Sequence, residues 1–170
     1  MMRTFFTSDT HFGHEAIIRY AHRPFSSVEE MDEVLVENWN RTVRPGDRVY
    51  HLGDFAVTPS HARRIRPRLN GTIRLTLGNH DDILKMQGLF QRVYLFRVFR
   101  EQGLQISHMP IAPDQRRAPI SVHGHTHAPY SLDVENRQIS ICVESTGYTP
   151  MSEELLFHAA GLLGSGEKSR

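Results

Sequence analysis

Only one cysteine, Cys142, occurs in the 170 residues, so no internal disulfide can form and a cysteine-based zinc knuckle is excluded. No run approaches the roughly 18 consecutive apolar residues of a membrane span, and no membrane partner is expected. Net charge is almost absent, with 20 Lys and Arg against 19 Asp and Glu, which is too little for nucleic-acid binding through bulk electrostatics. The opening Met1 to His11 is polar by Ser8 and carries aspartate and histidine, unlike a secretory signal, so a cytoplasmic location is expected. A chain that is 39% hydrophobic and 23% charged is not a disordered one. Its length suffices to bury about two-thirds of the unfolded surface without a disulfide or metal staple. What is plentiful is histidine, at 11 residues. The expectation is one domain over residues 1–163 and a flexible tail over 164–170.

A short apolar run that breaks abruptly into polar residues recurs five times. Thr4 to Thr7 leads into Ser8-Asp9-Thr10-His11, and Arg48 to Leu52 into Gly53-Asp54. Thr72 to Leu77 leads into Gly78-Asn79-His80-Asp81, Leu104 to Ser107 into His108, and Pro119 to Val122 into His123-Gly124-His125-Thr126-His127. Each run has strand length and composition. Between the first three lie helical patterns. Ser26-Ser27 stands before Glu29-Glu30 at capping-box spacing, and Val28, Met31, Leu35 and Trp39 share one face until Pro45-Gly46. A shorter helix from about Ser60 to Ile65 stops at Pro67. Later, Val93 to Phe99 with Leu104 to Ser107, and Tyr130 to Val134 with Gln138 to Val143, read as antiparallel hairpins. A last helix is expected from Ser152. The fold class is mixed α/β, with βαβ units first and hairpins later. In open α/β sheets the ligand site lies beyond the carboxyl ends of the strands, which is where all five polar clusters fall.

The candidate ligands at those ends are Asp9, His11, Asp54, Asn79, His80, His108, His123, His125 and His127. Imidazole, carboxylate and amide without thiolate suit Mn²⁺, Fe, Zn²⁺, Co²⁺ or Ni²⁺; calcium prefers all-oxygen sites. The set is too large for one tetrahedral zinc and fits two metals sharing a carboxylate. In an extended segment, alternation would send His125 and His127 to the same side, where each could reach a metal. His123 is left out of the ligand set.

The order D-x-H, G-D, G-N-H-D, a lone His, then G-H-x-H resembles the calcineurin-like metallophosphoesterases from Asp9 to His127. Asp9 to His14 and Val49 to Phe55 resemble the compact prokaryotic and phage branch of that family. The resemblance implies two packed mixed β-sheets with helices outside, an αββα sandwich. It implies that Asp9, His11 and His127 hold one metal, that Asn79, His108 and His125 hold the second, and that Asp54 bridges them. His80 would be the acid beside the scissile bond, oriented by Asp81, with Asn79 and His14 also toward the substrate. Manganese is the first expectation for both metals. Hydroxide bridging two divalent cations would then attack phosphorus in line, and His80 would protonate the leaving oxygen. Many family members read G-D-x-x-D, often with a following phosphate-gripping arginine; here Phe55-Ala56-Val57 follows Gly53-Asp54. The missing second aspartate argues against a protein phosphatase.

The expected activity is hydrolysis of a small, nucleotide-like phosphodiester, with a phosphomonoesterase as the alternative and a nucleotide or nucleic-acid end as the partner. A non-catalytic scaffold on the same fold would have lost ligands that are all present here. A metallo-β-lactamase-like site at His123 to His127 fails because Ala128-Pro129 follows, where Asp-His is needed. His51 reads as a hydrogen-bonded core histidine, Cys142 as a small buried hydrophobe, and Arg63, Arg64, Arg66 and Arg68 as a solvated helix face or a basic rim. Nothing in the sequence fixes the oligomeric state.

Overall fold

The computed structural model describes residues 1–86, 88–129 and 132–164. Tyr130, the expected start of the second hairpin, and all of the expected tail beyond Gly164 lie outside the described residues. In chain order the first half contains β1 (Thr4–Thr7), α1 (Glu15–Tyr20), α2 (Val28–Thr42), β2 (Arg48–His51), α3 (Pro59–Ile65), β3 (Thr72–Thr76), α4 (Ile83–Met86) and β4 (Arg92–Tyr94). The second half contains β5 (Phe96–Phe99), β6 (Leu104–Ser107), β7 (Ile120–His123), β8 (Leu132–Asp133), β9 (Gln138–Ser140), β10 (Met151–Ser152) and α5 (Glu153–Gly164).

The strands form two mixed five-stranded sheets, ordered β10-β1-β2-β3-β4 and β5-β6-β7-β9-β8. In the first, β1 to β4 are parallel and β10 is antiparallel to β1. In the second, β6, β7 and β9 are parallel and the outer strands antiparallel. Strand alternation divides the apolar residues between two cores. Phe5, Val49 and Ile73 pack with Met31, Leu35 and Trp39 of α2 and Ile65 of α3. Their neighbours Phe6 and Tyr50 meet Leu104, Ile106, Val122 and Ile139 between the sheets, joined by Leu156 of α5. Phe6 and Tyr50 stack with ring centroids 5.3 Å apart.

Local chemistry sets the helix ends. Ser27 accepts from the Glu30 N–H at 3.2 Å while Glu30 reaches back to the Ser26 N–H at 2.7 Å, which satisfies two donors that the first turn leaves orphaned. Thr58 caps α3, and Ser152 accepts from the Leu155 N–H at the start of α5. The run from Val93 to Phe99 is not one hairpin strand: it divides at the exposed Leu95, β4 extending the first sheet and β5 starting the second. Both halves have strand composition, so the sequence pattern runs unbroken across the point where the chain changes sheets. Only the β5–β6 half is the expected antiparallel pair.

Parallel register sets three loops side by side, because Thr7, His51 and Leu75 are neighbours at the ends of their strands. The ends of β6 and β7 are likewise aligned through Ile106 and Val122. The sheets meet at these ends, where Ser8 bridges to Cys142 and the Val143 N–H donates to the Ser8 carbonyl at 3.2 Å.

Beneath the junction lies His51, fully buried, with Nε2 2.9 Å from Thr10 Oγ1. Thr10 gives its own hydroxyl hydrogen to the Phe55 carbonyl at 2.8 Å, so the His51 Nε2–H is the donor. Burial, with a small contribution from His108, holds the His51 ring down at about 3. The unfolded chain therefore takes up a proton near pH 6.5 that the folded chain refuses, and stability falls as the pH drops below that value. Between pH 7 and pH 5 in chelator, His51→Phe should lose roughly 2 kcal/mol less unfolding free energy than the parent chain, measured in urea. Equal losses would show that His51 is not held neutral.

Candidate metal centre

The loops leaving β1, β2 and β3 are knitted together by backbone hydrogen bonds. The N–H groups of Asp9 and His11 donate to the carbonyls of Gly53 and Asp54, each at 3.0 Å. The His80 N–H donates to Asp54 Oδ1 at 2.9 Å, and the His125 N–H, from the loop after β7, donates to Asp9 Oδ2 at 2.9 Å. Asp9, His11, Asp54, His125 and His127 all have φ between 50° and 67°. Left-handed backbone is uncommon for residues with a Cβ and costs of order 1–3 kcal/mol each. Five expected ligands held there mark a site whose geometry the surrounding fold over-determines. Close packing of the loops also requires glycine: a Cβ on Gly124 would collide with Ser8 Oγ and Asp9 Oδ2.

Two groups of donor atoms result. Asp9, His11 and His127 form one, and Asp54, His108 and His125 the other, with all donor atoms within 4.8 Å of each other in each group. Asn79 joins the second, its Oδ1 2.9 Å from His108 Nε2. Asp54 Oδ2 lies between the groups, 3.5 Å from His11 Nε2 and 3.5 Å from His108 Nε2. The seven residues expected as ligands are thus brought together. His108 Nδ1–H donates to the Leu52 carbonyl at 2.9 Å, which turns its Nε2 lone pair inward. Asp9 Oδ1 and His11 Nε2 are buried without a hydrogen-bond partner. Buried polar atoms are ordinarily paired, and a divalent cation is the partner that a carboxylate oxygen and an imidazole nitrogen lack here.

The local charges fit that reading. Burial, reinforced by Arg23 and the neighbouring histidines, pushes His11 well below its ordinary range, so it stays in the neutral form that ligates a cation. Burial raises the Asp9 carboxyl, against the pull of His108, Ser8 and His127.

His80 is exposed, with Nε2 4.0 Å from Asp54 Oδ2 and its ring centroid 5.4 Å from that of His11. His14 stands beside both, its Nδ1 3.3 Å from His11 Nδ1 and its ring 6.1 Å from His80. It occupies the cap position of α1 without a capping side-chain bond. Asp81 corrects an expectation. Its carboxylate accepts from the N–H groups of Asp54 at 2.8 Å, Gly78 at 2.9 Å and Phe55 at 3.1 Å, so it ties the loops after β2 and β3 together and does not orient His80. The segment from Gly124 to His127 is not extended either. Left-handed turns at His125 and His127 send them to different groups, while His123 is buried with Nδ1 2.8 Å from the Gly124 carbonyl. The arginine run is engaged structurally, Arg66 donating to the Leu69 and Gly71 carbonyls, and Arg68 pairing with Glu33.

Two residues at the centre escape sequence reading. Glu144 Oε1 lies 2.9 Å from His127 Nδ1 and 2.8 Å from Arg23 Nη2. Arg23, its side chain fully buried, also donates to the carbonyls of Asp9 at 2.6 Å and Thr10 at 2.9 Å. Burial works to depress His127, but the Glu144 carboxylate, together with Asp9, outweighs it and holds the ring above its ordinary value. The pair fixes the His127 tautomer, with Nδ1–H toward Glu144 and Nε2 toward Asp9 Oδ1, 3.7 Å away. Glu144→Gln removes that charge and leaves the Arg23 cation short of its partner. Metal titration of the chelator-stripped variant should show about 10–100-fold weaker binding at the Asp9 group and unchanged binding at the Asp54 group. A uniform loss at both would show Glu144 to support the fold as a whole.

Two mixed sheets that gather two histidine–carboxylate sets at their strand ends define a protein with two candidate metal sites. The chain belongs to the calcineurin-like phosphoesterase family, whose profile matches residues 2–159, and family membership makes it a metal-dependent phosphoester hydrolase. It is 35% identical over 169 residues to an uncharacterised protein of Methanocaldococcus jannaschii, covering 92% of this chain and 90% of that protein. It is 28% identical to the gene 66 protein of Mycobacterium phage L5, over 91% and 93% of the two chains. A crystal structure of a protein of unknown function from Aquifex aeolicus superposes with a TM-score of 0.71 at 27% identity, covering 92% and 98%. Among the described residues no helix is long and apolar enough to cross a membrane.

Proposed function

We propose that this chain is a dinuclear phosphodiesterase that cleaves small nucleotide-like diesters by in-line displacement at phosphorus, with Mn²⁺ as its working metal. The observation that carries the reading is the position of Asp54 Oδ2, equidistant from the imidazole nitrogens of the two ligand groups. Bound there, two divalent cations would supply charge neutralisation for the phosphoryl group and acidity to the attacking water. The protein's part is placement. Asp9, His11 and His127 hold one cation, Asn79, His108 and His125 the other, and Asp54 both. His80 donates the proton to the departing oxygen, and its exposed ring leaves room for a substrate. His14, its ring beside those of His11 and His80, is assigned to a non-bridging oxygen of the substrate. Diester preference is supported by the loop after Asp54, where Phe55 and Ala56 are buried and supply no side chain to grip a doubly charged phosphate.

The test is a panel of monoesters, linear diesters and cyclic nucleotides, run on chelator-stripped protein restored with Mn²⁺, Ni²⁺, Zn²⁺ or Mg²⁺. Diester hydrolysis restored best by Mn²⁺ is expected. Turnover confined to monoesters would overturn the diester assignment, and no turnover with any metal would overturn the reading.

A further inference from the structure

Beside the second ligand group lies a cavity of about 480 Å³ that none of the roles above uses. Asn79, Asp81, Ser107 and His108 are its polar lining, and Leu95, Phe96 and Met109 stand on its apolar side. Three of these are large apolar side chains left open to solvent: Leu95 at 73%, Met109 at 50% and Phe96 at 38% exposure. Their position follows from the topology. Leu95 sits where the chain leaves the first sheet for the second, Phe96 opens β5, and Met109 follows the ligand His108 at the end of β6. Apolar side chains from the junction between the sheets and from the second sheet are thus exposed together beside a candidate metal ligand set. A mostly apolar cleft of this size with a few polar groups at one edge is the ordinary form of a small-molecule site.

We propose that this cavity receives the planar aromatic group of the substrate, a nucleobase, while its phosphate sits at the ligand groups. The inference rests on the phosphoesterase reading and adds the place where the substrate's base is held. Continuity argues for it, because Asn79 and His108 belong to both the cavity and the second ligand group. The lining argues for an aromatic occupant. Phe96 offers a ring, already faced by the Arg117 guanidinium at 5.2 Å, and Met109 offers a polarisable thioether that packs well against aromatic edges. The polar lining is already engaged, Asp81 by three backbone N–H groups and Ser107 by the Met109 carbonyl, so recognition of the base is by stacking, which accepts purine and pyrimidine alike.

Calorimetric binding to the Mn²⁺-loaded protein of inorganic phosphate, ribose 5-phosphate, adenosine 5′-phosphate and cytidine 5′-phosphate separates the contributions. Both nucleotides should bind at least tenfold more tightly than ribose 5-phosphate. In Phe96→Ser and, separately, Met109→Ser the gap should narrow to within about threefold, with ribose 5-phosphate binding showing that each variant keeps a formed site. Equal affinity for nucleotide and sugar phosphate in the parent chain, or a gap that survives both substitutions, overturns the nucleobase cavity while leaving the phosphate site standing. Failure of all four to bind overturns the phosphoesterase reading on which the cavity depends.

Discussion

Asp54→Asn should abolish hydrolysis, with a loss on the order of 10³-fold or more, and lower metal occupancy in both ligand groups. The large effect follows from position. Asp54 Oδ2 is the carboxylate oxygen that stands 3.5 Å from an imidazole nitrogen of each group, so one substitution removes negative charge from two sites. Asparagine is the right replacement because the backbone there is left-handed, at φ 53°, and asparagine tolerates that region better than other residues with a Cβ. Its side-chain oxygen can still accept from the His80 N–H, which Asp54 Oδ1 now does at 2.9 Å, so the loops keep their connection. Elemental analysis and turnover of the variant are the measurements. Two retained ions with undiminished turnover would remove Asp54 from any bridging role.

His80→Ala should leave metal content intact and cost activity according to how badly the leaving group needs a proton. His80 is exposed, and its Nε2 lies 4.0 Å from Asp54 Oδ2 at the margin of both groups without belonging to either. It is therefore placed to meet a substrate oxygen. Nitrophenolate departs unaided, whereas an alkyl or ribose oxygen does not. Loss of about 10²–10⁴-fold is expected on an alkyl or nucleoside diester, and much less on a nitrophenyl ester. Equal losses on both, with one metal missing, would make His80 a ligand.

Much of this was readable in the chain, and what was not has particular causes. The candidate ligands were legible because each stands where an apolar run stops, and parallel pairing of β1, β2 and β3 brings such ends to one edge of a sheet. The same rule extends to Glu144, which follows Ile141-Cys142-Val143 at the end of the β9 segment, although no histidine beside it drew attention. Arg23 offered no comparable signal, since it works through two backbone carbonyls and a carboxylate 121 residues away. Asp81 invited a pairing with its neighbour His80, but a half-buried carboxylate among loop ends goes to the nearest unsatisfied N–H groups, and three were available. Side-chain alternation failed for His125 and His127 because it presumes extended backbone, and β7 ends before them at His123. The division of residues 93–99 between two sheets was invisible for a related reason, as strand propensity does not record which sheet a strand joins.

Crystals grown with Mn²⁺ and measured at its absorption edge address the central claim most directly. Two anomalous peaks per chain are predicted, one ringed by Asp9, His11 and His127, the other by Asn79, His108 and His125, with the Asp54 carboxylate touching both. A single peak, or a second one out of reach of Asp54, would contradict the account.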